Sequence, residues 1–67
     1  MKTIYKFDEP DASTLYIGEA ATNIGASEPF WSIRKLSKSG TETTILYADG
    51  NDSFDNIWND RVTLNYS

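Results

Sequence analysis

Cysteine and histidine are both absent from this chain of 67 residues. Their absence excludes disulfide bonds, zinc sites built on thiolate or imidazole ligands, and catalysis by Cys-His or Ser-His-Asp arrangements. Long apolar runs are also absent, so the sequence predicts neither a signal peptide nor a membrane span. We therefore expect a protein of the cytosol of the cell that makes it, with no membrane partner and no cofactor.

Basic residues are few, with six Lys and Arg against ten Asp and Glu, for a formal net charge of −4. Because Lys and Arg carry the attraction to phosphate backbones, no nucleic-acid partner is predicted. A chain of this length buries only about 60% of the surface that its unfolded form exposes, and its core supplies roughly 3–5 kcal/mol. Association with copies of itself or with a partner would add stability.

Strand-like segments separated by turn residues account for most of the chain. Pro10 and its acidic neighbours predict a turn that ends the first strand, and Gly18 suits a bulge or a close backbone approach. Leu36 departs from strict alternation and suggests a bulge or an extra twist. A helical turn capped by Asp52 or Ser53 and running through Trp58 is predicted before the last strand. The predicted strands are residues 2–7, 14–20, 30–38, 42–48 and 61–66, and the longest loop spans residues 21–29.

These elements predict one all-β domain over residues 1–67. The expected fold is a small antiparallel five-stranded barrel or sandwich of the SH3-like kind, with one short helical turn before the last strand. An open meander with that turn plugging one face is the alternative. The apolar periodicity assigns most of the core to Ile4, Leu15, Ile17, Trp31, Ile33, Ile45, Phe54, Ile57, Trp58, Val62 and Leu64.

The segment 49–60 is rich in oxygen-bearing side chains at alternate positions, as in a calcium-binding loop. An EF-hand loop requires glycine at its sixth position and glutamate at its twelfth, where this chain has Phe54 and Asp60. Turn and capping chemistry explains the same residues, so no metal ligand is predicted. The segment also carries four aspartates and no basic residue. Such a surface is either a solvated acidic face or a mimic of the phosphate backbone that binds a nucleic-acid enzyme.

Three further groups of residues are candidates for a functional role. Asp8, Glu9 and Asp11 surround a proline in an expected exposed turn, where paired carboxylates do not acquire the separated pKa values that acid–base catalysis needs, so no catalytic residue is predicted. Alternation places Arg34 and Lys38 on one face of their strand and Lys35 on the other. The aromatic residues Tyr16, Phe30 and Trp31 suggest either core packing or a peptide groove as in SH3 domains.

Several longer strings carry a resemblance to a known group. They are Tyr-Ile-Gly-Glu-Ala-Ala at 16–21, Trp-Ser-Ile-Arg-Lys-Leu at 31–36, Tyr-Ala-Asp-Gly-Asn at 47–51, and Phe-Asp-Asn-Ile-Trp-Asn-Asp-Arg at 54–61. Over residues 14–66 the chain resembles short proteins encoded among the structural genes of tailed bacteriophages. The resemblance implies a role in the virion or in its assembly, and these motifs are structural signatures without a catalytic pattern.

From composition and resemblance together we expect a non-enzymatic phage structural protein that mediates protein–protein contacts as a head, neck or tail component. Its expected location is the host cytoplasm during assembly and then the virion, and its expected partners are other virion proteins and copies of itself. The alternatives are a small acidic inhibitor of a host nucleic-acid enzyme and a peptide-binding SH3-like module. Candidate interaction residues are Arg34, Lys35, Asp49, Asp52, Asp55 and Arg61. Arg61 is expected to pin the helical turn to the sheet or to bridge to a neighbouring subunit.

Overall fold

Four β-strands pair in sequence order in the computed structural model, which describes residues 2–67. The sheet is antiparallel throughout, and one short 3₁₀ helix, Trp58–Asp60, follows it in the chain. The protein is therefore all-β, with an open four-stranded meander. The strands are β1 (Thr3–Asp11), β2 (Thr14–Ala21), β3 (Ser32–Ser39) and β4 (Glu42–Tyr47).

The first strand is longer than the sequence predicts. Strand β1 continues through Pro10 to Asp11, so the prediction that it ends at an acidic turn after Phe7 is wrong. Proline is tolerated there because β1 is an edge strand, in which not every N–H is needed for the ladder. The irregularity is confined to a register shift between Asp8 and Asp11, where β1 contains one residue more than β2.

Strands β3 and β4 form the predicted hairpin, with Gly40 in the turn at φ 63°. The predicted bulge at Leu36 is wrong, because the register with both neighbouring strands runs through it without a break. Leu36 pairs with Leu15 on β2 and with Ile45 on β4. It departs from the expected pattern because it lies on the opposite face from Trp31 and Ile33, among other apolar residues.

The predicted fifth strand at 61–66 does not form, and the sheet does not close into a barrel or sandwich. Turn hydrogen bonds continue past the 3₁₀ helix, from the Arg61 N–H to the Trp58 carbonyl and from the Thr63 N–H to the Asp60 carbonyl. Strand-like pairing in the segment 61–66 consists of one bridge between Ala48 and Tyr66 and a few backbone hydrogen bonds around it. Within residues 2–67 the structure therefore matches the open-meander alternative.

The chain between β4 and the 3₁₀ helix is a loop. Its first turn at Asp49 and Gly50 has φ values of 59° and 73°, as expected for an Asp-Gly turn. The prediction of a helical N-cap at Asp52 or Ser53 is wrong, because the 3₁₀ helix begins only at Trp58 and follows Ile57, which makes no side-chain capping bond. No helix in residues 2–67 is long and apolar enough to cross a membrane.

The core lies on one face of the sheet, which we call the inner face. Trp31 and Trp58 pack against each other there, with ring centroids 5.8 Å apart and ring planes tilted by 37°, beneath the loop 22–30 and the C-terminal segment. The buried apolar residues are Tyr16, Ala20, Trp31, Ile33, Ala48 and Trp58, with Ile4, Ile24, Ala26, Leu64 and Tyr66 packed against them.

Five of the predicted core residues belong to this cluster: Ile4, Trp31, Ile33, Trp58 and Leu64. Five others do not: Leu15 and Ile17 lie on the opposite face of β2, and Ile45, Phe54 and Val62 are exposed. Ile57 is half-buried beside the cluster. The strand β2 thus turns Tyr16, Gly18 and Ala20 inward rather than its larger aliphatic residues.

Gly18 explains why β2 faces this way. A Cβ atom built on it would lie 2.5 Å from Cε3 of Trp58 and 3.0 Å from Cε3 of Trp31. The two indole rings therefore pack directly on the strand backbone, which confirms the close approach predicted at this glycine. A bulkier inward residue would displace the rings from the sheet.

Candidate functional site

The face of the sheet opposite the core carries a second set of apolar side chains. Register places Phe7 opposite Ile17, and Leu15 opposite Leu36, which in turn pairs with Ile45. We call this surface the outer face. Its apolar residues are Tyr5, Phe7, Leu15, Ile17, Leu36 and Ile45.

The outer face is open to solvent in the described part of the chain. Ile24 and Ala26 of the loop 22–30 and Trp58, Leu64 and Tyr66 of the C-terminal segment pack on the inner face. On the outer face Phe7 is 65%, Tyr5 56% and Ile45 52% exposed, whereas Ser32 at one end is buried. Leu15, Ile17 and Leu36 are half-buried by their neighbours within the sheet. Antiparallel sheets commonly keep one face wet, but that face is then usually polar, whereas this one is apolar at its centre.

One end of the outer face is polar. The Tyr5 hydroxyl donates to Oε2 of Glu19 at 3.2 Å, and the other carboxylate oxygen of Glu19 lies 3.7 Å from an Arg34 guanidinium nitrogen. The same guanidinium lies over the ring of Tyr47, 5.5 Å from its centroid. Arg34 is thus held in place by a carboxylate and an aromatic ring of its own chain.

The other end of the outer face contains a shallow hollow of about 260 Å³. Leu15 and Leu36 supply its apolar wall, and Glu9 and Lys38 contribute one charge of each sign. Thr14, Thr43, Ala12 and Ser13 complete the lining. The hollow is continuous with the apolar centre of the face through Leu15 and Leu36.

The structure distributes the candidate interaction residues over three different surfaces. Arg34 lies on the outer face, whereas Lys35 lies on the inner face with its ammonium 5.7 Å from the centroid of the Tyr66 ring. Asp49, Asp52 and Asp55 are exposed on the loop after β4. Alternation therefore separates Arg34 from Lys35 as predicted, and the basic and acidic candidates form no common site.

The loop aspartates sit among short local turns. The Ser53 N–H donates to the Asn51 side chain at 3.0 Å, and the Asn56 side chain donates to the Asp55 carboxylate at 3.2 Å. In residues 2–67 no group of three or more acidic side chains is arranged to hold a metal ion. These contacts are the turn chemistry that the sequence offered as the alternative to a calcium loop.

Arg61 joins the 3₁₀ helix to the sheet. Its Nε donates to Asp8 on β1 at 2.9 Å, its Nη1 donates to the Trp58 carbonyl at 3.2 Å, and its guanidinium lies 4.7 Å from the centroid of the Trp58 ring. Every one of these contacts lies within the chain. Asp8, which the sequence grouped with Glu9 and Asp11 as a carboxylate cluster, is therefore a structural anion.

Tyr66 closes the inner face near Arg61. Its ring lies 5.9 Å from that of Tyr16, and its hydroxyl donates to the Arg61 carbonyl at 2.7 Å. Burial, together with the neighbouring Tyr16, raises the pKa of the Tyr66 hydroxyl from 10.0 to about 12. The folded protein therefore favours the neutral, donating form of this side chain.

We expect this raised pKa to make the folded protein less stable at alkaline pH. The contribution of Tyr66 is fully present below pH 10, where the hydroxyl is neutral in both states, and declines as the pH rises toward 12 because only the unfolded chain ionises freely. Urea unfolding at a series of pH values should show a steeper decline in the wild type than in Tyr66→Phe. Equal slopes in the two proteins would contradict this assignment.

Tyr16, Phe30 and Trp31 do not form the exposed aromatic groove that the sequence suggested for peptide binding. Tyr16 and Trp31 are both buried in the core, and of the three residues only Phe30 is exposed. Sequence reasoning instead missed the outer face, because it assigned Leu15, Ile17 and Ile45 to the core. The signal that was available is that Tyr5 and Phe7 share the side of β1 opposite Ile4, so apolar residues occur on both sides of this strand.

Searches of protein-family models, curated protein sequences and solved structures find no match to this chain. What the molecule does is therefore argued from its surfaces.

Proposed function

We propose that this protein is a non-enzymatic structural component of a tailed-bacteriophage virion, located in the head, neck or tail, and that it acts through protein–protein contacts made by the outer face. The observation that carries the proposal is the apolar surface of that face. Its edge residues Tyr5, Phe7 and Ile45 are exposed, and Leu15, Ile17 and Leu36 between them are half-buried. Contiguous exposed apolar surface is a common mark of a protein-binding site. The phage assignment itself comes from the motifs at 16–21, 31–36 and 47–61.

The chemistry of the chain supports binding rather than catalysis. Without His or Cys, acid–base catalysis would depend on carboxylates or on Lys and Tyr side chains. Of the three carboxylates grouped by the sequence, Asp8 is paired with Arg61, and Asp11 accepts a hydrogen bond from the Ser13 N–H in the turn after β1. Those two side chains are engaged in holding the fold.

The character of the outer face also fits a permanent assembly. Its centre is aliphatic and aromatic, and its charges lie at the two ends, which is the arrangement of an interface with an apolar core and a polar rim. In a virion such a contact is repeated by symmetry, so modest affinity per copy is amplified by the number of contacts.

The test compares particles that carry the wild-type chain with particles that carry Phe7→Asp, which places a charge beside Ile17 on the outer face. The matched control is Phe54→Asp, which makes the same change at an exposed phenylalanine on the loop after β4. Copies per particle are counted by quantitative mass spectrometry against the major capsid protein. We expect incorporation to fall roughly tenfold or more for Phe7→Asp, since a buried charge at an interface costs several kcal/mol.

Phe54→Asp should be incorporated like the wild type. Equal incorporation of all three proteins would show that the outer face is not the binding surface. Absence of the wild-type chain from purified particles would contradict the virion role altogether. In that case the alternative is an inhibitor of a nucleic-acid enzyme that presents the exposed aspartates of the segment 49–60.

A further inference from the structure

The charges of the outer face are balanced, in contrast to those of the whole chain. Glu19 and Arg34 lie at one end, and Glu9 and Lys38 lie at the other. The formal charges of these four residues sum to zero, so the whole net charge of −4 belongs to the remainder of the molecule. An interface through this face avoids the repulsion that two such acidic molecules would meet elsewhere.

The same arrangement is complementary to itself. Each end of the face carries one acid and one base around an uncharged centre, so a two-fold rotation that stacks two faces sets acids of one copy near bases of the other. A two-fold interface uses the same patch on both subunits, and this requires such self-complementarity. A strongly basic or acidic partner would instead require a face of one predominant sign.

The size of the face is sufficient for a small dimer. Four strands about 4.8 Å apart and about eight residues long at 3.3 Å each give a footprint of roughly 500 Å² per copy. Two copies would together bury about 1,000 Å², which is the lower limit for a specific interface. The half-buried Leu15, Ile17 and Leu36 would then become fully buried, as core residues of a sandwich of two sheets about 10 Å apart.

We propose that the occupant of the outer face is a second copy of this chain, and that two copies stack face to face into an eight-stranded two-fold sandwich. This inference rests on the assignment of the outer face as the binding surface in the proposed function. It also accounts for how so short a chain gains stability, because a partner that binds only the folded form shifts the unfolding equilibrium.

Sedimentation equilibrium of the full chain, from low-micromolar to near-millimolar concentration, tests the proposal. The wild type should approach twice the 7.5 kDa of a single chain, and its melting temperature should rise with concentration. Phe7→Asp and, on the other edge strand, Ile45→Lys should each weaken the dimer roughly tenfold or more. Phe54→Asp, the exposed change off the face, should leave it unchanged. Circular dichroism checks that each variant is folded.

Two results would overturn the proposal: a wild type that stays monomeric throughout, or a dimer that neither Phe7→Asp nor Ile45→Lys weakens. The particle experiment separates this inference from the proposed function. A monomeric wild type whose Phe7→Asp variant is still lost from particles means that the face binds a different virion protein. A dimer disrupted by Phe7→Asp without any loss from particles means that the face pairs copies but does not attach them.

Discussion

Trp31→Ala is expected to leave the protein largely unfolded at room temperature. Trp31 is fully buried at the centre of the inner face, where its ring packs on Trp58 and on the backbone of Gly18. Truncating a buried tryptophan to alanine costs about 3–5 kcal/mol. A chain of this size has a total stability of about that amount, so the substitution removes nearly all of it.

Part of this cost comes from the loop that covers the core. The indole Nε1 of Trp31 donates to the Gly25 carbonyl at 2.9 Å and so fastens the loop 22–30 over the sheet. Removing the ring removes this link between the loop and the core, although the Gly25 carbonyl still accepts a hydrogen bond from the Glu28 N–H at 3.0 Å. Trp31→Phe keeps an aromatic ring but loses the bond, so it should be folded and less stable than the wild type.

The measurement is the dispersion of backbone amide signals in a heteronuclear NMR spectrum, supported by far-ultraviolet circular dichroism. Collapsed dispersion is expected for Trp31→Ala. Phe30→Ala is the matched control, since it truncates the adjacent aromatic residue, which is 51% exposed. Its effect should stay within about 0.5 kcal/mol, as for most surface substitutions. A well-dispersed Trp31→Ala spectrum with a melting temperature near that of the wild type would contradict the central role of this side chain.

Strand positions could be predicted from the sequence because they depend on local signals. Alternation together with the turn at Gly40 located the β3–β4 hairpin, and the placement of Trp31 and Ile33 on one face is confirmed. The fifth strand could not be predicted in the same way. Val62, Leu64 and Tyr66 alternate like a strand, but the hydrogen bonds that continue the 3₁₀ turn through Thr63 take the backbone out of extended pairing.

Periodicity could not predict which face of the sheet is covered. Alternation along β2 separates its residues into two sets but does not show which set is buried. Hydrophobicity favoured Leu15 and Ile17 as the inward set, and this is wrong. The deciding factor is the shape of what covers the sheet: two indole rings packed together require small residues beneath them, and Gly18 and Ala20 supply that space. Gly18 indicated a close approach, but the partners in that approach are far away in the chain, so local alternation does not show which face they cover.

The same misassignment hid the candidate binding surface. Once Leu15, Ile17 and Ile45 are placed in the core, Phe7 is left as an isolated apolar residue rather than as part of a continuous face. Most of the charged residues chosen from the sequence as interaction candidates also lie away from the outer face. Of them, only Arg34 lies on the outer face, and Arg61 is engaged in contacts within its own chain.

Gly18→Ala should destabilise the protein by about 1–3 kcal/mol, the usual cost of overpacking a closed core. The added Cβ would lie 2.5 Å from Cε3 and 2.7 Å from Cζ3 of Trp58, which are closer than real Cβ contacts allow. The indole must therefore move away from the sheet. Because Arg61 lies against the same ring and bonds to Asp8, that displacement also strains the contact between the 3₁₀ helix and β1.

The control for this prediction is Gly25→Ala, where the new Cβ would meet only the flexible end of Glu28, at 3.2 Å. Its effect should be within about 0.5 kcal/mol by urea unfolding. The cause of the Gly18 effect can be tested with Trp58→Leu, whose smaller side chain leaves room for the methyl group. If the clash is the cause, Gly18→Ala should cost less in the Trp58→Leu protein than in the wild type, since contacting residues are coupled. Equal costs in the two backgrounds would show that the loss comes from the strand backbone and not from the packing of the ring on Gly18.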